Sequence, residues 1–194
     1  MPFRPIVGHG VVIDRLVLED ASALSSSHSD PGNATYQGWP SPLSPAAARQ
    51  FIESERGSEP LAPGAAVQLA IRETSGGPLV GDLYLDRSEA TPPSVEVGIT
   101  LVPGFHGRGL ATAAIAAVLD AVFDPALEGG SVRRVVAVLD VDNVRSRALF
   151  ERVGFRLDAR HRDSGRRRDG TRADELEFVM SDRRWREVRG TRQP

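Results

Sequence analysis

The chain contains no cysteine, which excludes disulfide staples, thiolate metal sites and cysteine nucleophiles. It contains no lysine either, so all 24 basic residues are arginine. A Walker-type phosphate loop, which needs Gly-Lys-Ser or Gly-Lys-Thr, cannot be built from these letters. Together with abundant Ala, Gly and Pro, the skew fits the coding bias of a GC-rich genome rather than a function. Only four histidines occur, His9, His28, His106 and His161, without ligand spacing, and no metal site is expected. The longest apolar run, Ala113 to Leu119, stops at Asp120 after seven residues, and Met1-Pro2-Phe3-Arg4 opens no signal-peptide core. The expectation is a cytoplasmic protein with no membrane partner.

At 194 residues and 20.9 kDa, with 40% hydrophobic and 26% charged residues and a net charge of −2, the composition is that of a globular domain. It is neither a disordered chain nor a basic nucleic-acid binder, so no nucleic-acid partner is expected. One domain is expected over residues 1–182, with a tail at 183–194 that is either a short helix or disordered. Charge is uneven: residues 1–143 carry nine arginines against seventeen acids, and residues 144–194 fifteen against nine. The basic end reads as a solvated surface or as a surface near an anionic ligand.

Alternation with β-branched residues predicts a strand over Val11 to Leu18 that runs into a helix start at Glu19-Asp20. The polar stretch from Ser25 to Asn33 reads as loop, and Tyr36-Gln37-Gly38-Trp39-Pro40 as an aromatic loop. Ser44-Pro45 supplies an N-cap and N1 proline for a helix to Arg56. Strands follow at Val67 to Arg72 and Leu79 to Asp86, joined through Thr74-Ser75-Gly76-Gly77, and a third at Val95 to Val102. Gly109 to Phe123 is apolar nearly all round, which predicts a central helix with Ala111, Ile115, Val118 and Val122 on one stripe. Val132 to Leu139 reads as a strand covered on both faces. Asn143 caps the next helix and Gly154 ends it; Phe155 to His161 and Glu175 to Met180 make a final strand pair joined by the arginine-rich Arg162 to Arg172.

The informative segment runs strand, Pro103-Gly104-Phe105-His106-Gly107-Arg108-Gly109-Leu110-Ala111-Thr112, buried helix. Glycines at a helix entrance let backbone N–H groups approach a phosphate with no Cβ in the way, and the helix dipole adds positive potential there. A dinucleotide fingerprint fits poorly, because its third glycine is Thr112 and the next strand ends at Asp140, well beyond the expected acid.

His106-Gly107-Arg108-Gly109-Leu110-Ala111 resembles the pyrophosphate loop Gln/Arg-x-x-Gly-x-Gly/Ala of the GNAT superfamily of acetyl-coenzyme A dependent N-acetyltransferases, departing at His106. Asn143 at a helix start, with Gly154-Phe155 closing that helix, is a second match. Val95-Glu96-Val97-Gly98-Ile99 and Trp39-Pro40 resemble the branch of ribosomal-protein N-terminal acetyltransferases. The resemblance spans Val11 to Met180, with specific motifs between Glu96 and Phe155. It implies a single α/β domain: a mixed, mostly antiparallel sheet of six or seven strands, splayed at its centre, with about four helices. It further implies acetyl-coenzyme A as co-substrate, held by Gly107, Arg108, Gly109, Leu110, Ala111 and Thr112 at the pyrophosphate. Ile99, Thr100 and Leu101, on a strand edge opened by a bulge, and Asn143 would hold the pantetheine arm.

Deprotonating the attacking amine at pH 7 costs roughly 5 kcal/mol for a lysine side chain and about 1 kcal/mol for an α-amine. With this cost, the resemblance to the ribosomal-protein branch implies a peptide or protein α-amine as substrate. A small-molecule amine, such as a metabolite or aminoglycoside, is the alternative, and a non-catalytic acyl-coenzyme A module is the competing class. Glu96 is the candidate base, acting through water. Family members that place a carboxylate five residues before the Asn have Val138 there in this chain, which leaves Asp140 and Asp142 as substitutes or as turn formers. A family tyrosine acid falls at Phe150, which has no proton to give. Ser146 is the candidate donor to the leaving thiolate, or else bonds the helix end. Tyr36 and Trp39 line the substrate pocket or pack the loop, and the protein is expected to be a monomer or homodimer.

Overall fold

The computed structural model describes residues 3–37, 39, 41–89, 91–127 and 132–191. Eight strands form one sheet: β1 Ile6–Gly8, β2 Val11–Arg15, β3 Ala66–Arg72, β4 Gly81–Arg87, β5 Ser94–Leu101, β6 Arg134–Asp140, β7 Arg156–Arg166 and β8 Arg172–Ser181. Their order is β1-β2-β3-β4-β5-β6-β8-β7, and every neighbouring pair is antiparallel except β5 and β6. Six α-helices surround it: α1 Ala21–Ser29, α2 Pro31–Ala34, α3 Pro45–Glu55, α4 Leu110–Val122, α5 Val144–Val153 and α6 Asp182–Gly190. The fold is the mixed, mostly antiparallel α/β class expected, with one strand and two helices beyond the expected numbers.

The extra strand is β1, three residues too short to carry a readable alternation. The polar stretch from Ser25 to Asn33, expected to be loop, is α1 and α2. Serine disfavours helix when its hydroxyl competes for its own backbone, but here the hydroxyls have tertiary partners. Ser25 Oγ donates to Leu43 O at 2.7 Å, Ser29 Oγ accepts from Leu43 N at 3.0 Å, and Asn33 Nδ2 donates to Ser27 O at 3.1 Å. The β7–β8 hairpin reaches much further into the arginine-rich connection than expected, with register shifts between Leu157 and Ala159 and between His161 and Gly165.

One core fills the space between α4, α5, α6 and the sheet, and a second lies under α1 and α3. Ile115, Val118 and Val122 are buried as the stripe predicts, together with Leu119 on the flank, whereas Ala111 of the stripe is only partly buried. Trp185 of α6 joins the main core and donates its indole N–H to Asp120 Oδ1 at 2.9 Å. β6 is not covered on both faces: burial alternates along it, and Val138, across from Glu177, is 37% exposed on the face turned away from the core. No helix among the described residues is long and apolar enough to cross a membrane.

Candidate active site

The sheet forks between β5 and β6. Their parallel pairing covers only Ser94, Glu96 and the residue between, against Arg134 to Val136; beyond Glu96 the strands part. The expected bulge is not the cause. Pairing of β5 with β4 runs without a register shift from Arg87–Val95 to Gly81–Leu101, so the gap comes from divergence of β6. Ser88 N donates to Ser94 O and Val102 N to Val80 O, both at 2.9 Å, which commits the even-numbered residues of β5 to β4. The N–H groups of Ile99 and Leu101 therefore face the gap, whereas that of Thr100 faces β4. Leu101 O, on the gap side, accepts from Asn33 Nδ2 and from His106 Nε2, each at 3.1 Å. His106, although exposed, thus braces the loop to the strand end through one ring nitrogen.

After this brace the chain enters α4 through two left-handed residues, Gly107 at φ +75° and Gly109 at φ +79°. A Cβ at either would meet no atom within 4 Å, so the space in front of both is open. Gly109 is the N-cap and no side chain caps the helix, which leaves the first-turn N–H groups of Leu110, Ala111 and Thr112 to an outside acceptor. The residues fit a phosphate-bearing ligand on these grounds. The Arg108 guanidinium pairs with Glu73 at 2.6 Å and lies over the Phe105 ring, so this position offers the cradle its backbone rather than its charge.

Asn143 caps α5: its Oδ1 accepts from Ser146 N at 3.1 Å, and its Nδ2 has no partner among the described residues. The Ser146 hydroxyl is likewise without a hydrogen bond among them, so it is not spent on the helix end. Asp140 and Asp142 are engaged. Arg167 donates Nε to Asp140 Oδ2 at 2.6 Å and Nη2 to Asp140 Oδ1 at 2.8 Å and to Asp142 Oδ2 at 2.5 Å. These bonds hold the Asp140 carboxyl below the usual carboxylate range, which suits it poorly to accept a proton. Phe150 is buried against Phe155 and takes no part.

Glu96 is the last residue paired before the fork, on the face opposite α4. Its carboxyl is held above the usual range, first by desolvation and then by the charges of Asp86, Glu175 and Glu177. Of these, Glu177 is paired with Arg134 and with His161. Asp86 stands directly across from Glu96, and Tyr84 donates its hydroxyl to Asp86 at 3.3 Å. Burial, Asp86 and Glu96 push the Tyr84 hydroxyl up to about 12. Sequence reading missed Tyr84, Asp86 and Glu175, although the alternation of Asp82, Tyr84 and Asp86 against Leu83 and Leu85 was a usable signal.

Tyr36 lies under Arg167, 6.0 Å from ring centroid to guanidinium. Trp39 stacks on His28 at 4.1 Å, and its Nε1 donates to His28 O at 3.3 Å. His28 in turn meets both carboxylate oxygens of buried Asp82, at 3.0 and 2.9 Å. Trp39 is thereby anchored to α1. Pro40, expected beside it, lies outside the described residues.

Solved structures share this architecture. A GNAT-family acetyltransferase from Bacillus anthracis superposes with a TM-score of 0.76 at 17% identity, covering 93% of this chain and 99% of that one. RimL, a ribosomal L7/L12 α-N-protein acetyltransferase in complex with coenzyme A, gives 0.75 at 18% identity over 92% and 98% of the two chains. Mycobacterium smegmatis RimJ, in complex with a coenzyme A disulfide, gives 0.72 at 20% identity over 96% and 93%. These likenesses establish the fold. Residues 11–156, which contain the fork, the glycine cradle and Asn143, match the family model for the acetyltransferase (GNAT) domain, and the chain belongs to that family of acyl-transferring enzymes.

Proposed function

We propose that this protein moves the acetyl group of acetyl-coenzyme A to a primary amine, and that the amine is the α-amine of a peptide or protein. The observation that carries the reading is the fork itself: an uncapped, glycine-entered helix at one end and a carboxylate with raised proton affinity at the other, joined by a strand edge with unpaired N–H groups. Acetyl-coenzyme A supplies an activated acyl group when bound. The cradle from Gly107 to Thr112 would take its pyrophosphate, and Ile99 N–H, Leu101 N–H and Asn143 Nδ2 would hold its amide-bearing arm. Glu96 accepts the ammonium proton through water, and raised proton affinity makes it a better base than an ordinary carboxylate. The Ser146 hydroxyl donates to the departing sulfur, whose thiolate, with a pKa near 8.5 judged by cysteine, needs no stronger acid. The α-amine is favoured by its low deprotonation cost, and the fold likeness to RimL and RimJ agrees with it.

A second reading, a polycationic small molecule, is favoured by one observation: three carboxylates, Asp86, Glu175 and Glu177, lie close enough to raise the proton affinity of Glu96. Calorimetric titration with acetyl-coenzyme A tests the class, and absence of binding at millimolar ligand would end it. An acetylation screen across N-terminal peptides, free amino acids, polyamines and aminoglycosides tests the substrate. Turnover of polycationic small molecules alone would overturn the peptide assignment and leave the transferase assignment standing.

A further inference from the structure

Arg167 stands just past the end of β7, where the hairpin comes over the turn between β6 and α5. Its guanidinium has five N–H donors. Nε and one N–H of Nη2 hold Asp140, and the other N–H of Nη2 holds Asp142. Both donors of Nη1 are without a hydrogen-bond partner among the described residues. The anchor is rigid: Asp140 is 8% exposed, and Val141 N donates to Asp174 O of β8 at 3.0 Å, so turn and hairpin are tied twice. Asn143, whose Nδ2 is the proposed contact to the coenzyme arm, lies three residues beyond Asp140, and the Arg167 guanidinium stands over the Tyr36 ring at 6.0 Å. A donor pair is therefore fixed at the mouth of the fork, and little side-chain entropy remains to be lost when an acceptor arrives.

The electrostatics of this donor are unusual for an arginine. One positive charge faces two carboxylates, so the cluster carries a net negative charge. A free carboxylate arriving at Nη1 would be repelled by Asp140 and Asp142, whereas a neutral carbonyl oxygen would accept the same N–H at little electrostatic cost. The negative charges around Glu96 meanwhile attract an ammonium group.

We propose that Arg167 is a specificity-determining residue whose Nη1 donates to the carbonyl oxygen adjacent to the reacting amine, so that the enzyme takes α-amino amides, as at peptide N termini, over free α-amino acids and over amines with no carbonyl. The inference rests on the amine-acetylation reading above and sharpens it. It names the neutral amide as the recognised group.

Alaninamide, alanine and isopropylamine share one α-carbon skeleton and differ in the group offered to Nη1. The experiment measures kcat/KM for each with acetyl-coenzyme A, from the release of coenzyme thiol, in wild type, Arg167→Lys and Asp142→Asn. Dividing each variant by wild type cancels the different basicities of the three amines. Arg167→Lys, which keeps a charge for Asp140 but loses the fork, is expected to lower the alaninamide value about 10- to 100-fold relative to isopropylamine. Asp142→Asn, at an exposed position, is expected to raise alanine relative to alaninamide by about tenfold as one repelling charge goes. If Arg167 merely braces the hairpin, all three amines slow alike, and unchanged ratios in both variants overturn the proposal. Should Arg167→Lys fail to fold, the Asp142→Asn ratio decides alone, and no change in it overturns the proposal. Acetylation of none of a broad amine panel would end the transfer reading and this inference with it; ordinary turnover with unaltered ratios would end the inference only.

Discussion

Glu96 is exposed, with carboxylates for neighbours and no hydrogen-bond partner among the described residues, an arrangement that raises its proton affinity and suits the proposed role as base. Because its folded pKa is raised, the stability it contributes is present below the ordinary carboxylate range and is lost as pH rises through the folded value. Glutamine keeps the shape without titrating. Because Glu96 is exposed and solvent screens its neighbours, Glu96→Gln should melt at the same temperature as wild type at pH 7 or slightly above it, with any difference vanishing below about pH 4. Its kcat/KM should fall about 100-fold near pH 7, by less as pH rises and the amine loses its proton unaided. Calorimetry and a pH–rate profile read the two effects; a variant less stable than wild type at pH 7 would mean that Glu96 has a stabilising partner instead of crowding. Gly109 permits a cleaner dissection. With φ +79° and no atom near a Cβ, Gly109→Ala meets no clash and should cost the fold about 1–2 kcal/mol of left-handed strain. Its methyl would stand where a phosphate must approach, so coenzyme affinity should fall about 100-fold by titration, and unchanged affinity would remove the cradle assignment.

At the scale of elements, what could be read from the letters was what is decided locally. Asn143 and Gly154 announce the two ends of α5 because a cap and a left-handed exit depend on the residue itself, and both occur as read. The glycines before α4 belong to the same kind. The serines of α1 are the opposite case, since their helical state depends on Leu43, eighteen residues from Ser25. Arg167 was equally hidden: which arginine of the hairpin reaches Asp140 depends on two register shifts that no local pattern encodes. A further long-range device holds the helical layer to β3. Arg72 donates to Asp20 at 2.9 and 2.6 Å, both side chains are buried, and Asp20 also accepts from Val17 N at 2.9 Å. Asp20→Asn would leave the Arg72 charge buried without its counter-ion, at a cost of about 3–5 kcal/mol in a denaturant titration. Asp20→Leu with Arg72→Met should recover part of that loss, and a double variant as unstable as the single one would show that the geometry of the pair matters rather than its charge.

As a whole molecule, the sheet is two blocks, β1 to β5 and β6, β8, β7, whose strands pair with each other only along the short ladder at Ser94 to Glu96, although one core packs against both. Beyond that short ladder the odd-numbered N–H groups of β5 have no strand to meet, although Leu101 O is already taken by Asn33 and His106. A ligand that adds its own amides along this edge would act as a partial extra strand and join the blocks where the protein does not. Coenzyme A at about 100 times its dissociation constant should stabilise the protein by about 2.7 kcal/mol, as mass action requires of any ligand that binds only the folded state. The distribution of that effect is the informative part. Hydrogen exchange by local opening should slow most at Ile99, Leu101 and the first turn of α4, and little at Val95, which β6 already covers. Protection at Leu110 to Thr112 without protection at Ile99 and Leu101 would place the arm away from the fork. Strong protection at Ile99 and Leu101 would mean that the gap between β5 and β6, which looks like an interrupted sheet, is the seat on which the coenzyme completes it.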